Sequence, residues 1–369
     1  MNFDFTDDQL ALRDAVTRWV EKDFTFERRH ALARKGGATR AVYRELVELG
    51  LAGLVVAPAH GGLGLGAVES MVVMEALGHG LVNAPYAAAA LMTPALVADG
   101  AWLARIADGS VLVVPALQEE GARYRLDAPR TTATQRDGAW SLDGTKHLVP
   151  AGDEADAYVV PARLGPHAVA PIGLFIVERA RAQVRAHPTA DGARAASVTF
   201  VASPATRADS GQNALPALER ALDIGIAAAC AEGVGAMDRL VAMTVEYMNT
   251  RKQFGQTLAS FQALRHRIAD VKMQLELARS MSYYASLKLG EPAPQRRRAI
   301  SQAKVQLGQS MRFVGQQCIQ LHGGIGVTDE CAASHYFKRL TMLEFAGGDT
   351  LHHLGEVSER MGDTAGVFA

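Results

Sequence analysis

The spacing of apolar residues changes period twice along the chain, and no single layer of secondary structure accommodates both changes. Up to about Gly109 the spacing is helical. Leu10, Val16, Trp19 and Val20 recur at helical intervals behind Thr6, a plausible N-cap with Asp7 and Asp8 in the first turn. Further helices are expected over residues 39–49, 67–77 and 86–96. From Val111 the pattern becomes β-rich. Residues 111–117, 131–136, 140–142, 157–162, 172–177 and 196–201 read as short strands, broken by turns at Asp137-Gly138, Asp143-Gly144 and Leu164-Gly165-Pro166. After Pro204 the helical period returns. Ile226, Cys230, Val234, Met237, Val241 and Tyr247 share one side of a long helix, and similar helices run from 261 to about 287 and from 297 to about 321. The pattern predicts an α+β multidomain chain: an N-terminal helical domain over 1–110, a middle antiparallel β domain, barrel- or sandwich-like, over 111–208, and a C-terminal four-helix bundle over 215–369.

A chain of 369 residues, 49% of them hydrophobic, can bury more than one core. Its formal charge of −1 and lack of long single-sign runs exclude the electrostatic footprint of a nucleic-acid binder. Arg296, Arg297 and Arg298 form the one dense basic run, behind Glu291-Pro292-Ala293-Pro294, and read as a solvated face at a helix entrance. Glu69 and Glu75 interrupt the apolar stretch from Val68 to Leu77, and no membrane span is expected. Residues 1–9 are polar and acidic, unlike a secretory signal, so a cytoplasmic location is expected. Cys230, Cys318 and Cys331 lack metal-ligand spacing and read as buried, reduced thiols. His322, His352 and His353 have no acidic ligand cluster beside them, so no metal site is expected and surface or inter-helix roles are. Glu232 and Asp238 read as ordinary polar-face or interface residues.

Three glycine-bearing segments carry the chemistry. Gly61-Gly62-Leu63-Gly64 lies in a loop before the helix that opens at Ala67. Arg251-Lys252-Gln253-Phe254-Gly255 offers a guanidinium able to pair phosphate oxygens beside an aromatic face. Gln320-Leu321-His322-Gly323-Gly324-Ile325-Gly326-Val327-Thr328 offers a side-chain amide and bare backbone N–H groups that can approach a pyrophosphate. In this order and spacing, the two C-terminal segments resemble the acyl-CoA dehydrogenase family. The resemblance spans the chain: the Gly61 loop matches the family's Gly-Gly-x-Gly segment, Trp140-Ser141-Leu142-Asp143-Gly144-Thr145-Lys146 its Trp-x-Leu-x-Gly-x-Lys hairpin, and Asp156-Ala157-Tyr158-Val159-Val160 a strand. The runs from His335 to Met342 and from Gly348 to Leu354 resemble the small-subunit type of pimeloyl-CoA dehydrogenase.

The resemblance implies an FAD-dependent oxidoreductase that desaturates an acyl-CoA thioester between its α and β carbons. A carboxylate takes the α proton, the β carbon gives hydride to the flavin, and an electron-transfer flavoprotein reoxidises it. It further implies that Arg251, Gln253, Phe254, Gln320, Gly323 and Gly324 bind FAD held mainly by a neighbouring subunit.

The departures concern the reacting end. Relatives carry the basic Glu just before a Gly-Thr pair; the matching stretch here, Phe345-Ala346-Gly347-Gly348-Asp349-Thr350, has none in the slot, although Glu344 and Asp349 flank it. Other branches carry the Glu near the start of the long helix, where this chain has Asp223. Asp223 and Asp349 are therefore the candidate bases, each with a plainer reading: a helix-start residue for Asp223, an Asx-turn or N-cap for Asp349. The flavin-ring motifs are altered too. Leu117-Gln118-Glu119-Glu120-Gly121-Ala122-Arg123-Tyr124 stands for Leu-Thr-Glu-Pro-x-Ala-Gly-Ser. Leu148-Val149-Pro150-Ala151 stands for Trp-Ile-Thr-Asn, and Pro150 lacks the hydroxyl that relatives aim at the flavin. Three functions follow: a catalytic dehydrogenase with an unusual base, a non-catalytic subunit that completes the FAD site of a sibling subunit, or a flavin oxidase of the same fold using Asp.

Overall fold

A computed structural model describes residues 4–37, 39–165, 170–209, 211 and 213–361. Residues 1–3 of the acidic N-terminus, Pro166 of the expected turn and the last eight residues of the expected bundle lie outside them. Helices α1 (Asp7–Asp23), α2 (Phe26–Arg34), α3 (Thr39–Glu48), α4 (Ala67–His79) and α5 (Gly100–Ala107) precede seven strands. These are β1 (Val113–Pro115), β2 (Thr132–Arg136), β3 (Ala139–Pro150), β4 (Ala157–Arg163), β5 (Ile172–Glu178), β6 (Gln183–Pro188) and β7 (Arg194–Arg207). Helix α6 (Leu215–Thr250) leads through a two-stranded hairpin, β8 (Lys252–Gln253) and β9 (Gln256–Thr257), to α7 (Gln262–Lys288), α8 (Ala293–His322), α9 (Ala332–Phe345) and α10 (Thr350–Glu359). The helical, β, helical order is the one expected. Thr6 caps α1 through a reciprocal capping box with Gln9.

The chain divides into two compact units, one of residues 1–29, 67–82 and 226–369, the other of 30–66 and 83–225. In the second unit the strands run β1-β4-β2-β3-β7-β5, β5 also pairs with β4, and β6 adds to β7. The β4–β5 pairing closes β4, β2, β3, β7 and β5 into a barrel-like ring. Strand β4 is buried along nearly its whole length, as a strand covered on both faces must be. Its Ala157 and Val159 pack with Ile172, Leu174, Ile176 and with Leu218 and Ala221 from the start of α6.

In the first unit, bare glycines let helices approach closely. A Cβ at Gly235 of α6 would lie 1.8 Å from the Glu75 carbonyl oxygen of α4, and one at Gly78 of α4 would lie 2.0 Å from that of Glu232. Arg279 of α7 bridges Glu75 and Asp238.

Several expectations need correction. The helix expected over 86–96 is a π-helical turn, Ala87–Met92, followed by a 3-10 turn, Thr93–Leu96, because Pro94 cannot supply an N–H to a continuing α-helix. The basic run is no solvated face: α8 opens four residues earlier than expected, and Arg296 is buried on it. Glu232 is buried too, paired with Arg339 at 2.5 Å. Cys230 and Cys318 are buried free thiols, but Cys331, at the N-cap of α9, is half-buried.

Candidate functional site

The two C-terminal motifs meet. Tyr247, in the last turn of α6, and His322, the last residue of α8, stack at 4.7 Å between ring centroids. The chain leaves α6 as Arg251 and leaves α8 as Gly323, so the stack sets the two exits side by side. Between β8 and β9, Phe254 and Gly255 both have positive φ (52° and 79°), the requirement of a type I′ turn. Asn or Asp usually fills the first position; Phe254 holds it as a bulky ring, 92% exposed. Such strain at an exposed aromatic is a feature of ligand-contacting segments. Gly323 (φ 66°, ψ −146°) occupies a backbone region open essentially to glycine alone, and a Cβ at Gly323 or Gly324 would meet nothing within 4 Å. Arg251, Gln253, Phe254, Gln320, Gly323 and Gly324 are all exposed. A cation, two amides, an aromatic ring and a glycine backbone with no side chain in the way fit a phosphate-bearing aromatic ligand such as a dinucleotide.

The corner between α9 and α10 is closed by contrast. Lys304 of α8 is 1% exposed and donates to the carbonyls of Leu343 and Glu344, both at 2.7 Å, in the last turn of α9. A cation suits that end of a helix, yet burial pulls its ammonium down to about 8, against the favourable influence of Cys230, Glu344 and Asp349. The buried Glu344 carboxylate accepts from Thr350 N–H (3.1 Å) and Thr350 Oγ1 (2.7 Å) and lies 3.5 Å from Arg312. Asp349 N-caps α10, accepting from His352 N–H at 2.8 Å. On α8, Gly308 lets Thr350 approach so closely that a Cβ there would sit 2.2 Å from its Oγ1.

Between Glu344 and Asp349 stands Gly348. Its φ is 129°, and a Cβ would fall 2.5 Å from His353 Nε2 and 2.6 Å from His352 Cδ2. His353 is itself fixed beside Ser301 Oγ (3.2 Å) and the Gly347 carbonyl (3.3 Å). Burial, then Lys304 and His352, hold its ring neutral down to about 3.

Asp223 is not a helix-start residue. Helix α6 begins at Leu215, and Asp223 lies well inside it, 3% exposed, in the other compact unit from Asp349.

Within the β domain the family-like Glu119 and Lys146 form an ion pair. Lys146 Nζ lies 2.6 Å from Glu119, whose carboxylate also accepts from Thr131 N–H (3.0 Å), Thr131 Oγ1 (2.6 Å) and Arg130 N–H. Burial raises Glu119, but Lys146 and these donors outweigh it and hold the carboxyl below its ordinary value. The pairing is not legible in the sequence, although each partner stands in a segment that resembles a family motif. Past Lys146 the chain bulges: Lys146 pairs with Val198 but Val149 with Ala196, and Leu148 sits exposed at φ 51°.

The acyl-CoA dehydrogenase N-terminal domain family matches residues 6–109, and the acyl-CoA dehydrogenase C-terminal domain family matches 215–362. The chain belongs to the acyl-CoA dehydrogenase family. Among curated relatives it is 24% identical to acyl-CoA dehydrogenase FadE27 of Mycobacterium tuberculosis, over 88% of this chain and 89% of that one. It is 27% identical to the short-chain specific acyl-CoA dehydrogenase of Megasphaera elsdenii, over 94% and 96%. Solved structures share the fold: the ChsE4-ChsE5 complex of Mycobacterium tuberculosis (24% identity, TM-score 0.87, 99% and 100% covered) and PigA with FAD and proline (21%, 0.89, 98% and 99%). This acyl-CoA dehydrogenase family member has the N-terminal helical, central β and C-terminal helical arrangement of its relatives. No helix among its described residues is long and apolar enough to cross a membrane.

Proposed function

We propose that the chain is the small, supporting subunit of a heteromeric FAD-dependent acyl-CoA dehydrogenase, acting in the cytoplasm, that completes the nucleotide half of a flavin site without supplying the base. The reading rests on the contrast between the two halves. Arg251, Gln253, Phe254, Gln320, Gly323 and Gly324 stand exposed, suited to FAD held mainly by a sibling subunit. At the α9–α10 corner, the stretch that resembles the family's base segment has no Glu between Glu344 and Asp349, and its Gly348 is hemmed in by His352 and His353. The flanking carboxylates of Glu344 and Asp349 are engaged by N–H groups of α10. A general base must come within about 3 Å of the proton it removes, and capping α10 draws both carboxylates toward its N-terminus instead.

When bound, FAD supplies hydride acceptance from the β carbon. In this reading Arg251 pairs a phosphate oxygen, the Gly323-Gly324 backbone approaches the pyrophosphate, and the ring of Phe254 covers the nucleotide. The sibling subunit contributes the Glu that takes the α proton, an acyl-CoA is the substrate and an electron-transfer flavoprotein the electron acceptor. The three domains, over 1–110, 111–208 and 215–369, serve as in the family. Resemblance to the pimeloyl-CoA type suggests a dicarboxylic acyl chain.

Co-expression with a sibling carrying the Glu, followed by FAD per subunit, tests the proposal. Arg251→Ala should lower FAD retention in the assembled complex, since a charge-assisted phosphate contact is lost. Unchanged FAD content and thermal stability would remove the assignment. Loss of turnover in Asp223→Asn or Asp349→Asn would favour the catalytic reading over the supporting one.

A further inference from the structure

Three neighbouring strands of the β domain bring two imidazoles onto one hydroxyl. His147 Nδ1 of β3 lies 3.0 Å from Ser197 Oγ of β7, and His187 Nε2 of β6 lies 2.9 Å from the same oxygen. Strand β7 runs between the other two, so β3 and β6 are two strand spacings apart. The small Ser197 leaves room for both rings to lean over it. All three side chains are half-buried, and the face is polar: Thr145 and Thr199 hydrogen-bond at 3.1 Å one pair further along.

The backbone is adapted to this convergence. His187 pairs with Ala195 and reaches Ser197 diagonally. His147 lies inside the bulge between Lys146 and Val149, ahead of the left-handed Leu148. A bulge re-aims a side chain and is often found beside functional sites. The serine proton can be given to one ring only, so the second must turn an N–H toward the oxygen. Once that ring moves its proton to its other nitrogen, both nitrogens facing Ser197 carry lone pairs and can ligate a borderline divalent metal, which binds nitrogen at about 2.0–2.1 Å. Rigid strands hold them more tightly than loops would.

We propose that His147, His187 and Ser197 form a binding site for a borderline divalent cation such as Zn²⁺, with the two ring nitrogens as ligands and the serine oxygen or a water completing the set. Because Arg185 stands opposite Ser197 in the β6–β7 register, the bound ion has a cationic neighbour. Removing that neighbour strengthens cation binding, whereas it would weaken an anion.

Titration of the full-length chain with Zn²⁺ alone, by calorimetry at neutral pH, tests this. The expected result is saturable binding that weakens in both His147→Ala and His187→Ala by more than the roughly 10–100-fold typical of losing a residue that only orients a ligand. Arg185→Ala should tighten binding. His147→Gln and His187→Gln keep a hydrogen-bonding group over Ser197 should the alanine variants fold poorly, and they should lose Zn²⁺ equally. Absence of saturable Zn²⁺ binding by the wild-type chain, or affinity unchanged in folded His147 and His187 variants, would overturn the site.

Discussion

Replacing Lys304 with Met should destabilise the protein more at high pH than at neutral pH, which is the reverse of what removing an exposed lysine would do. Two opposing effects set the magnitude. The Leu343 and Glu344 carbonyls lose their buried donor, at about 1–3 kcal/mol each. Against that, the wild-type ammonium is held down to about 8 from an ordinary 10.5, chiefly by burial. Below pH 8 this depression costs the folded state about 3 kcal/mol, since each tenfold loss of proton affinity is worth about 1.36 kcal/mol. Between 8 and 10.5 the unfolded chain binds the extra proton and the folded chain does not, so wild-type stability gains from Lys304 as pH rises through that window. Met has no such gain. The destabilisation measured against wild type should therefore grow by about 2–3 kcal/mol between pH 7 and pH 10. Urea unfolding of both proteins at each pH reads it, and the tyrosines, which titrate near that range once unfolded, are common to both proteins and cancel in the difference. A difference that stays flat or shrinks would refute the buried, depressed lysine.

The pair in the β domain yields a second expectation: Lys146→Met strands the buried Glu119 charge and should cost about 3–5 kcal/mol, and adding Glu119→Gln should recover most of it. Paired urea midpoints decide this; equal loss in the single and double variants would contradict it. Gly348→Glu should not create a working base, because a side chain at φ 129° costs about 1–3 kcal/mol and collides with His352 and His353. Thermal melting should show the loss, and turnover in that variant acting alone would show the corner to be more open than its packing implies.

Much of the fold was legible because periodicity reports burial. The long helices and the family-like glycines were visible in sequence, as were the cores of β2, β4 and β5. Strand β6 was not, since Gln-Val-Arg-Ala-His-Pro is an edge segment pairing with β7 alone, and although it alternates, Val184 is its one β-branched residue and no residue in it is fully buried. Strand β3 extends well past Leu142 because Asp143-Gly144, which reads as a turn, is an irregularity within the β3–β7 ladder where the register shifts, and β7 likewise runs beyond its apolar centre to Arg194 and Arg207. At the site, the bare glycines could be read directly, because a missing Cβ is written in the sequence. The closed corner could not. Lys304 reaches carbonyls some 40 residues away, and nothing in the spacing of Glu344, Gly348 and Asp349 tells that the carboxylates are spent on capping α10. Arg296 and Glu232 misled for the same reason: a charge on a helix reads as solvated until its neighbours are known.

The most direct test of the supporting-subunit account is anaerobic mixing of this chain alone, supplied with FAD, with a panel of acyl-CoA thioesters while the visible flavin absorbance is followed. The account predicts poor FAD retention and no bleaching with any thioester, and bleaching once a Glu-bearing sibling is added. Stoichiometric FAD on the isolated chain, with bleaching and turnover at an ordinary enzyme rate of ~1–10³ per second, would contradict it.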